Sequence, residues 1–325
     1  MHVSVIEDIK TIFKDLGHQV DSKSISFHTW VFNRDADKVD VIGQHNWRDI
    51  SPEMCDAFYE RYKDELSDYD GFIVTYPPSF SLLFEKFNKP IIVVAATRYE
   101  APFTNDITKW DQFNDFLRNK IDEGIIIPLA NNLYDKKYCE HFTDREWNHI
   151  SSLCAYTNLK YGGKKEQAIL YDTCATGMDK NKINYIEPFD LQDRSWENIY
   201  DHKVAIHIPY NISTMTMFEQ YMANMPLILP SLDLFVNIPG SLSQLYYGDI
   251  GEKNKEIFSS KESIKLADFY QWDWIIHYND LDELSSIMNL TNFEAMSKRI
   301  QEENKQRKIK TYNSWKNVLD IICQR

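Results

Sequence analysis

Between Val5 and Leu16 the apolar residues Val5, Ile9, Ile12, Phe13 and Leu16 share one helical face, and Gly17 follows as a stop. An α/β domain normally opens on a strand, so either the opening strand is confined to residues 1–3 or the chain starts inside the domain. Apolar runs of strand length follow at residues 24–32, 39–42, 71–76, 90–96 and 124–129, with helical spacing at 52–66 and 110–122 between them. Ile91-Ile92-Val93-Val94 and Ile125-Ile126-Ile127 are apolar without alternation, the pattern of strands covered on both faces of a parallel sheet. The glycine- and lysine-bearing stretch 160–165 reads as a linker. A second series of strands then runs through 168–171, 183–186, 204–208, 227–229 and 274–277, and two helical stretches close the chain.

This alternation predicts an α/β protein of two Rossmann-like, doubly wound domains, 1–162 and 163–307, with a ligand cleft where the C-terminal ends of the two sheets face each other. At 325 residues the chain is long for one hydrophobic core, which agrees. Trp315, Val318, Leu319 and Ile322 line one face of the last helix (308–325), which is expected to return to the first domain.

Charge narrows the partners. With 36 basic and 49 acidic residues the net charge is −13, which disfavours nucleic acid and anionic membranes as main partners. A diphosphate can still bind locally at a helix N-terminus. Cys55, Cys139, Cys154, Cys174 and Cys323 are scattered and odd in number, implying a reducing compartment without a zinc site. No apolar run approaches the roughly 18 residues of a membrane span, and no signal-peptide core opens the chain, so a cytoplasmic protein without integral membrane association is expected. Aromatic residues reach 14%, which suits either stacking on sugars and bases or a Tyr- and Phe-rich core.

Several chemistries are missing their signatures. There is no Gly-x-Gly-x-x-Gly, no Gly-Lys-Ser/Thr loop, no His-Glu-x-x-His and no Gly-x-Ser-x-Gly. His202 and His207 flank one strand and project from opposite faces, a poor metal pair. Asp35-Ala36-Asp37 and Asp280-Leu281-Asp282 have the Asp-x-Asp form that holds a divalent ion in some sugar transferases, but both lie in polar, turn-like surroundings. The expectation is that no metal and no cofactor is required.

The informative stretch runs from Lys203 to Ser231, KVAIHIPYNISTMTMFEQYMANMPLILPS. A buried strand leads into the polar turn Pro209-Tyr210-Asn211-Ile212-Ser213-Thr214, then a helix with Phe218, Met222 and Met225 on one face, then a strand opened by Pro226. Hydroxyl side chains and free amides at a helix N-terminus attract phosphate, and Glu219 is near enough for its carboxylate to accept from a ribose diol. Thr216 to Glu219 also fits a Ser/Thr-x-x-Glu capping box, in which the glutamate needs no ligand, and Ser213 and Thr214 also fit plain N-caps.

This layout resembles the second domain of GT-B glycosyltransferases, matching at Glu219, Ala223 and Pro226. The resemblance implies Glu219 on the nucleotide ribose, and the backbone of Ser213, Thr214 and Met215 around the diphosphate of a UDP- or GDP-linked sugar. Many retaining members carry a second glutamate where this chain has Asn211, so inverting and retaining outcomes both stay open. The specific match is confined to Lys203–Ser231; architecture extends the resemblance over nearly the whole chain. The first domain would supply the glycan or other hydroxyl acceptor site from the loops at Thr75 and Tyr76, at Thr97, Arg98, Tyr99 and Glu100, and at Asn131-Asn132. An inverting transfer needs a base, for which Glu100 and His28, the latter in a strand, are candidates; His2 is a further cleft candidate. Arg98 or Lys203 would replace a metal at the leaving diphosphate. An epimerase or pyruvyl transferase on the same fold, and a non-catalytic two-domain sugar-binding protein, are the competing readings.

Overall fold

The computed structural model of the chain describes residues 3–96, 99–172, 176–241 and 248–323, with Trp30 and Cys323 described by their backbone alone. The chain divides into two compact units. One comprises Met1–Ser152, Tyr246–Lys255 and Tyr312–Arg325, the other Leu153–Leu245 and Glu256–Thr311.

The first unit begins with α1 (Val3–Asp15), so Val3 opens a helix rather than extending a strand. Helix α2 (Pro52–Tyr62) is capped by Ser51, whose side chain accepts from the Met54 amide. Strands β1 (Phe72–Val74), β2 (Ile91–Ala95) and β3 (Ile126–Ala130) alternate with α3 (Ile107–Asp122) and α4 (Leu133–Thr143), and β4 (Asn148–His149) follows. All pairs are parallel, in the order β1-β2-β3-β4, with Ile91 beside Phe72 and Ile126. Every residue of β2 and β3 is buried, as their unbroken apolar runs require.

No strand forms at 24–32 or 39–42, contrary to expectation. Residues 27–32 make a 3₁₀ turn instead. The cause is local. Ser24 and Ser26 hydroxyls accept from the amides of Ser26 and His28, Thr29 donates to the Ser26 carbonyl, and Asp37 takes the Ser24 amide at 2.6 Å. These side chains satisfy backbone groups that a ladder would need. Val41 is left-handed (φ 73°), which likewise breaks an extended run.

The second unit contains β5 (Ala168–Asp172), β6 (Tyr185–Ile186), α5 (Trp196–Tyr200), β7 (Ala205–Ile208), α6 (Met215–Met222), β8 (Leu227–Pro230), α7 (Leu232–Phe235), α9 (Lys261–Ile264), β9 (Ile276–Tyr278) and α10 (Leu281–Leu290). Two helices are shared between the units along the chain, α8 (Gly248–Phe258) and α11 (Phe293–Cys323). The strand order is β6-β5-β7-β8-β9, again parallel. The chain winds outward from β5 to β6 and then resumes on the other side of β5 with β7. That reversal is a topological switch point, and open parallel sheets bind ligands just beyond the C-terminal ends of the strands flanking it. Among the described residues only this second sheet reverses.

The stretch 160–165, expected as a linker, belongs to the second unit. Tyr161 donates its amide to Ala223, Gly162 and Gly163 to Tyr200, and Lys165 to Asp201. Its glycines permit close approach: a Cβ on Gly162 would lie 2.0 Å from Asp201 Oδ1, and Gly163 is left-handed. The change of unit falls earlier, between Ser152 and Leu153.

Candidate functional site

Strands β5 and β7 pair so that Tyr171 lies beside His207 and Asp172 beside Ile208, at the C-terminal edge of the switch. The Tyr171 and His207 rings stack, centroids 4.5 Å apart and 4° from parallel. His207 Nε2 meets Gln220 Oε1 at 2.6 Å, which ties β7 to α6. Burial pulls the His207 pKa down to about 4, with the Gln220 hydrogen bond acting the other way, so the ring is neutral at pH 7.

Beyond β7 the chain turns through Tyr210, Asn211 and Ser213 into α6. Asn211 is buried, and its side-chain oxygen accepts from the Ile212 amide at 2.7 Å. Tyr210 and Ser213 are half-buried. Thr214 is the N-cap, yet its side chain accepts no capping bond. Its Oγ1 is buried and has no hydrogen-bond partner among the described residues. Met215 begins the helix, and in its first turn the Met217 amide donates to the Thr214 carbonyl at 2.9 Å. A buried hydroxyl with no partner among the described residues thus stands at the N-terminus of α6, where the helix dipole favours negative charge.

Glu219 is 6% exposed, within α6. Because the helix starts at Met215, Thr216 is not its cap and Glu219 lies beyond the first turn, so the capping-box alternative is corrected. The carboxylate Oε1 instead accepts the Tyr156 hydroxyl. Burial raises the hydroxyl pKa values of Tyr171 and Tyr200, and the charge of Glu219 raises them further. A buried carboxylate thus stands among three tyrosines at the switch point.

Lys203 is not part of this group. It precedes β7 at the opposite edge of the sheet from the turn, where Nζ stands 3.3 Å from Glu166. Tyr156, Tyr171, His207 and Gln220 were not singled out for this site from sequence. Tyr171 and His207 carry a recognisable signal, as polar-tipped rings that directly follow apolar runs in β5 and β7, whereas nothing near Tyr156 marks it.

In the first unit Thr75 is buried just after β1, and Tyr76 is half-buried against Trp47, ring centroids 6.3 Å apart. Tyr99 is a core residue: its hydroxyl donates to Asn114 at 2.5 Å and its ring packs edge-on to Trp110 at 4.8 Å. That position is not one for holding an acceptor. Glu100 is 1% exposed and close to Tyr138, whose hydroxyl it helps raise well above the ordinary value after burial. His28 is exposed, on the 3₁₀ turn rather than a strand, with Nδ1 3.4 Å from Ser26 Oγ. Of the two candidate bases it is the one whose ring meets solvent. Asn132 caps α4 by accepting the Asp135 amide. His2, Thr97 and Arg98 lie outside the described residues.

Among the described residues no three His, Cys, Asp or Glu side chains are grouped to hold a metal ion. Asp37 is engaged by Ser24, Asp280 caps α10, and Asp282 pairs with Lys182 at 2.6 Å. Among the described residues no helix is long and apolar enough to cross a membrane.

No protein-family model matches the chain, and no curated protein matches it. Among solved structures it is similar to the glycotransferase of kitacinnamycin, with a TM-score of 0.50 and 11% identity over 99% of this chain and 95% of that one. It is also similar to accessory secretory protein 1,2 and 3 of Streptococcus pneumoniae (TM-score 0.49) and to TarM (TM-score 0.46). Each is 11% identical over 83% of this chain. This chain spans 57% of the length of the latter two. At such identity the likeness is one of fold: two α/β units, each built on a parallel sheet, the GT-B architecture.

Proposed function

We propose that the chain is a glycosyltransferase, moving a sugar from a UDP- or GDP-linked donor to a glycan or other hydroxyl acceptor without a metal ion. The observation that carries this is the coincidence, at one switch point, of an unpartnered Thr214 hydroxyl at the start of α6 and a buried carboxylate one turn further on. The first is suited to phosphate and the second to a diol, in the order in which a nucleotide diphosphate presents them. The α6 N-terminus carries the positive end of the helix dipole, which stabilises negative charge on a departing diphosphate. The acceptor's proton is taken by a base, for which His28 and Glu100 are the candidates.

Calorimetric titration with UDP and GDP tests the donor site. Glu219→Ala should weaken the preferred nucleotide by roughly ten- to a hundredfold, the loss of a charged hydrogen-bond acceptor. Unchanged affinity rejects the assignment. With a panel of UDP- and GDP-sugars, nucleotide release that needs an acceptor and persists in EDTA identifies a metal-independent transferase. Release without acceptor indicates an epimerase-type reaction.

A further inference from the structure

A buried carboxylate needs hydrogen-bond donors, and at Glu219 one of them is the Tyr156 hydroxyl. The setting of that tyrosine differs from its neighbours'. Tyr171 lies within a central strand and Tyr200 ends α5, whereas Tyr156 occupies a single 3₁₀ turn, Ala155–Thr157. Left-handed residues bracket the turn, Cys154 at φ 58° and Asn158 at φ 53°. Tyr156 is half-buried, and its ring leans on Trp196 at 5.9 Å and 55°. This hydroxyl on the carboxylate Oε1 is therefore carried by a short turn, not by the sheet or by α6.

We infer that Tyr156 is an internal competitor for the donor's ribose: its phenol occupies Glu219 in the free protein and yields that oxygen to the ribose hydroxyls when a nucleotide binds. The inference rests on the donor reading of Glu219. The exchange replaces one O–H···carboxylate bond with another of the same kind, so the buried charge is never left unpaired. Only ligands with a hydroxyl to offer can make the exchange, so the work of displacing Tyr156 falls on ribonucleotides alone. A deoxygenated sugar leaves the phenol where it is. Ribonucleotide affinity is reduced by the work of releasing the phenol, a conformational tax that a single atom's removal lifts.

Tyr156→Phe removes the competing hydroxyl and keeps the ring against Trp196. Wild type, Tyr156→Phe, Glu219→Gln, Glu219→Ala and the Tyr156→Phe/Glu219→Gln double variant are titrated with UDP, GDP and their 2′,3′-dideoxy forms. Tyr156→Phe should bind the preferred ribonucleotide roughly three- to thirtyfold more tightly. Dideoxynucleotide affinity should not change, and the gain should vanish in the Glu219→Gln background. A tyrosine that merely positions Glu219 would instead show weaker or unchanged ribonucleotide binding on conversion to Phe. That result overturns the inference while leaving the donor site standing, provided Glu219→Ala still weakens binding. A gain shared equally by the dideoxy forms also overturns it. If Glu219→Ala binds as wild type does, or neither nucleotide binds any variant, the donor reading falls and takes this inference with it.

Discussion

At pH 7 the His207 ring is neutral and stacked on Tyr171, and its pKa has been lowered from 6.5 to about 4 chiefly by burial. In the unfolded chain the same ring accepts a proton below about pH 6.5. The folded state binds that proton only near pH 4, so His207 favours the fold fully above pH 6.5 and progressively less as pH falls toward 4. Between pH 7 and pH 5 this single group accounts for about 2 kcal/mol of lost stability. His202 and His277 are also lowered by burial and act in the same direction. Urea denaturation at the two pH values checks it: His207→Phe, which keeps a ring beside Tyr171, should show a pH dependence smaller by about that amount. An undiminished difference would place the titration elsewhere.

At the level of the element, α6 combines a weak cap with a well-anchored body. Thr214 makes no capping bond, while Gln220 is fastened to His207 and the Tyr221 hydroxyl donates to the Asp273 carbonyl at 2.8 Å. A buried hydroxyl without a partner costs stability, so Thr214→Val should leave the second unit equally stable or more stable by about 1 kcal/mol. Nucleotide affinity should fall about three- to tenfold. Melting curves and calorimetry on one variant measure both. A loss of stability with unaltered binding would make Thr214 an ordinary cap. The elements themselves were unevenly legible. Strands β2, β3, β5, β7 and β8 announce themselves as short apolar runs, because burial on both faces leaves no polar alternation. Residues 24–32 mislead because Ser24, Ser26 and Thr29 redirect the backbone hydrogen bonds locally. Strand β4 is two exposed polar residues held beside Leu129 and Ala130, and no periodicity marks it.

For the whole molecule, the division into units does not follow chain order, since the last helix changes unit at Tyr312. Its final turns join α1: Trp315 meets Phe13 edge-on at 5.2 Å, and the Tyr312 hydroxyl donates to Asp15 at 2.6 Å. Trp315 is 3% exposed, so Trp315→Ala should destabilise the first unit by about 3–5 kcal/mol. Hydrogen exchange followed by mass spectrometry should locate the loss in α1 and the β1–β4 sheet. Faster exchange confined to β5–β9 would contradict that placement.

The α/β class, the fully buried strands, the helix after β7 and the Pro-led strand after it were all determined by the sequence alone. Each depends on burial and propensity over a few neighbouring residues, which a linear pattern records. Glu219 and Thr214 were legible for the same reason, lying in one short strand–turn–helix. Tertiary structure alone decided the strand order and its reversal beside β5, the inclusion of 160–165 in the second unit, and the contact of Tyr156 with Glu219. Those depend on which distant segments meet, and a phenol finds its carboxylate through the packed fold, with no trace in the spacing of either residue along the chain.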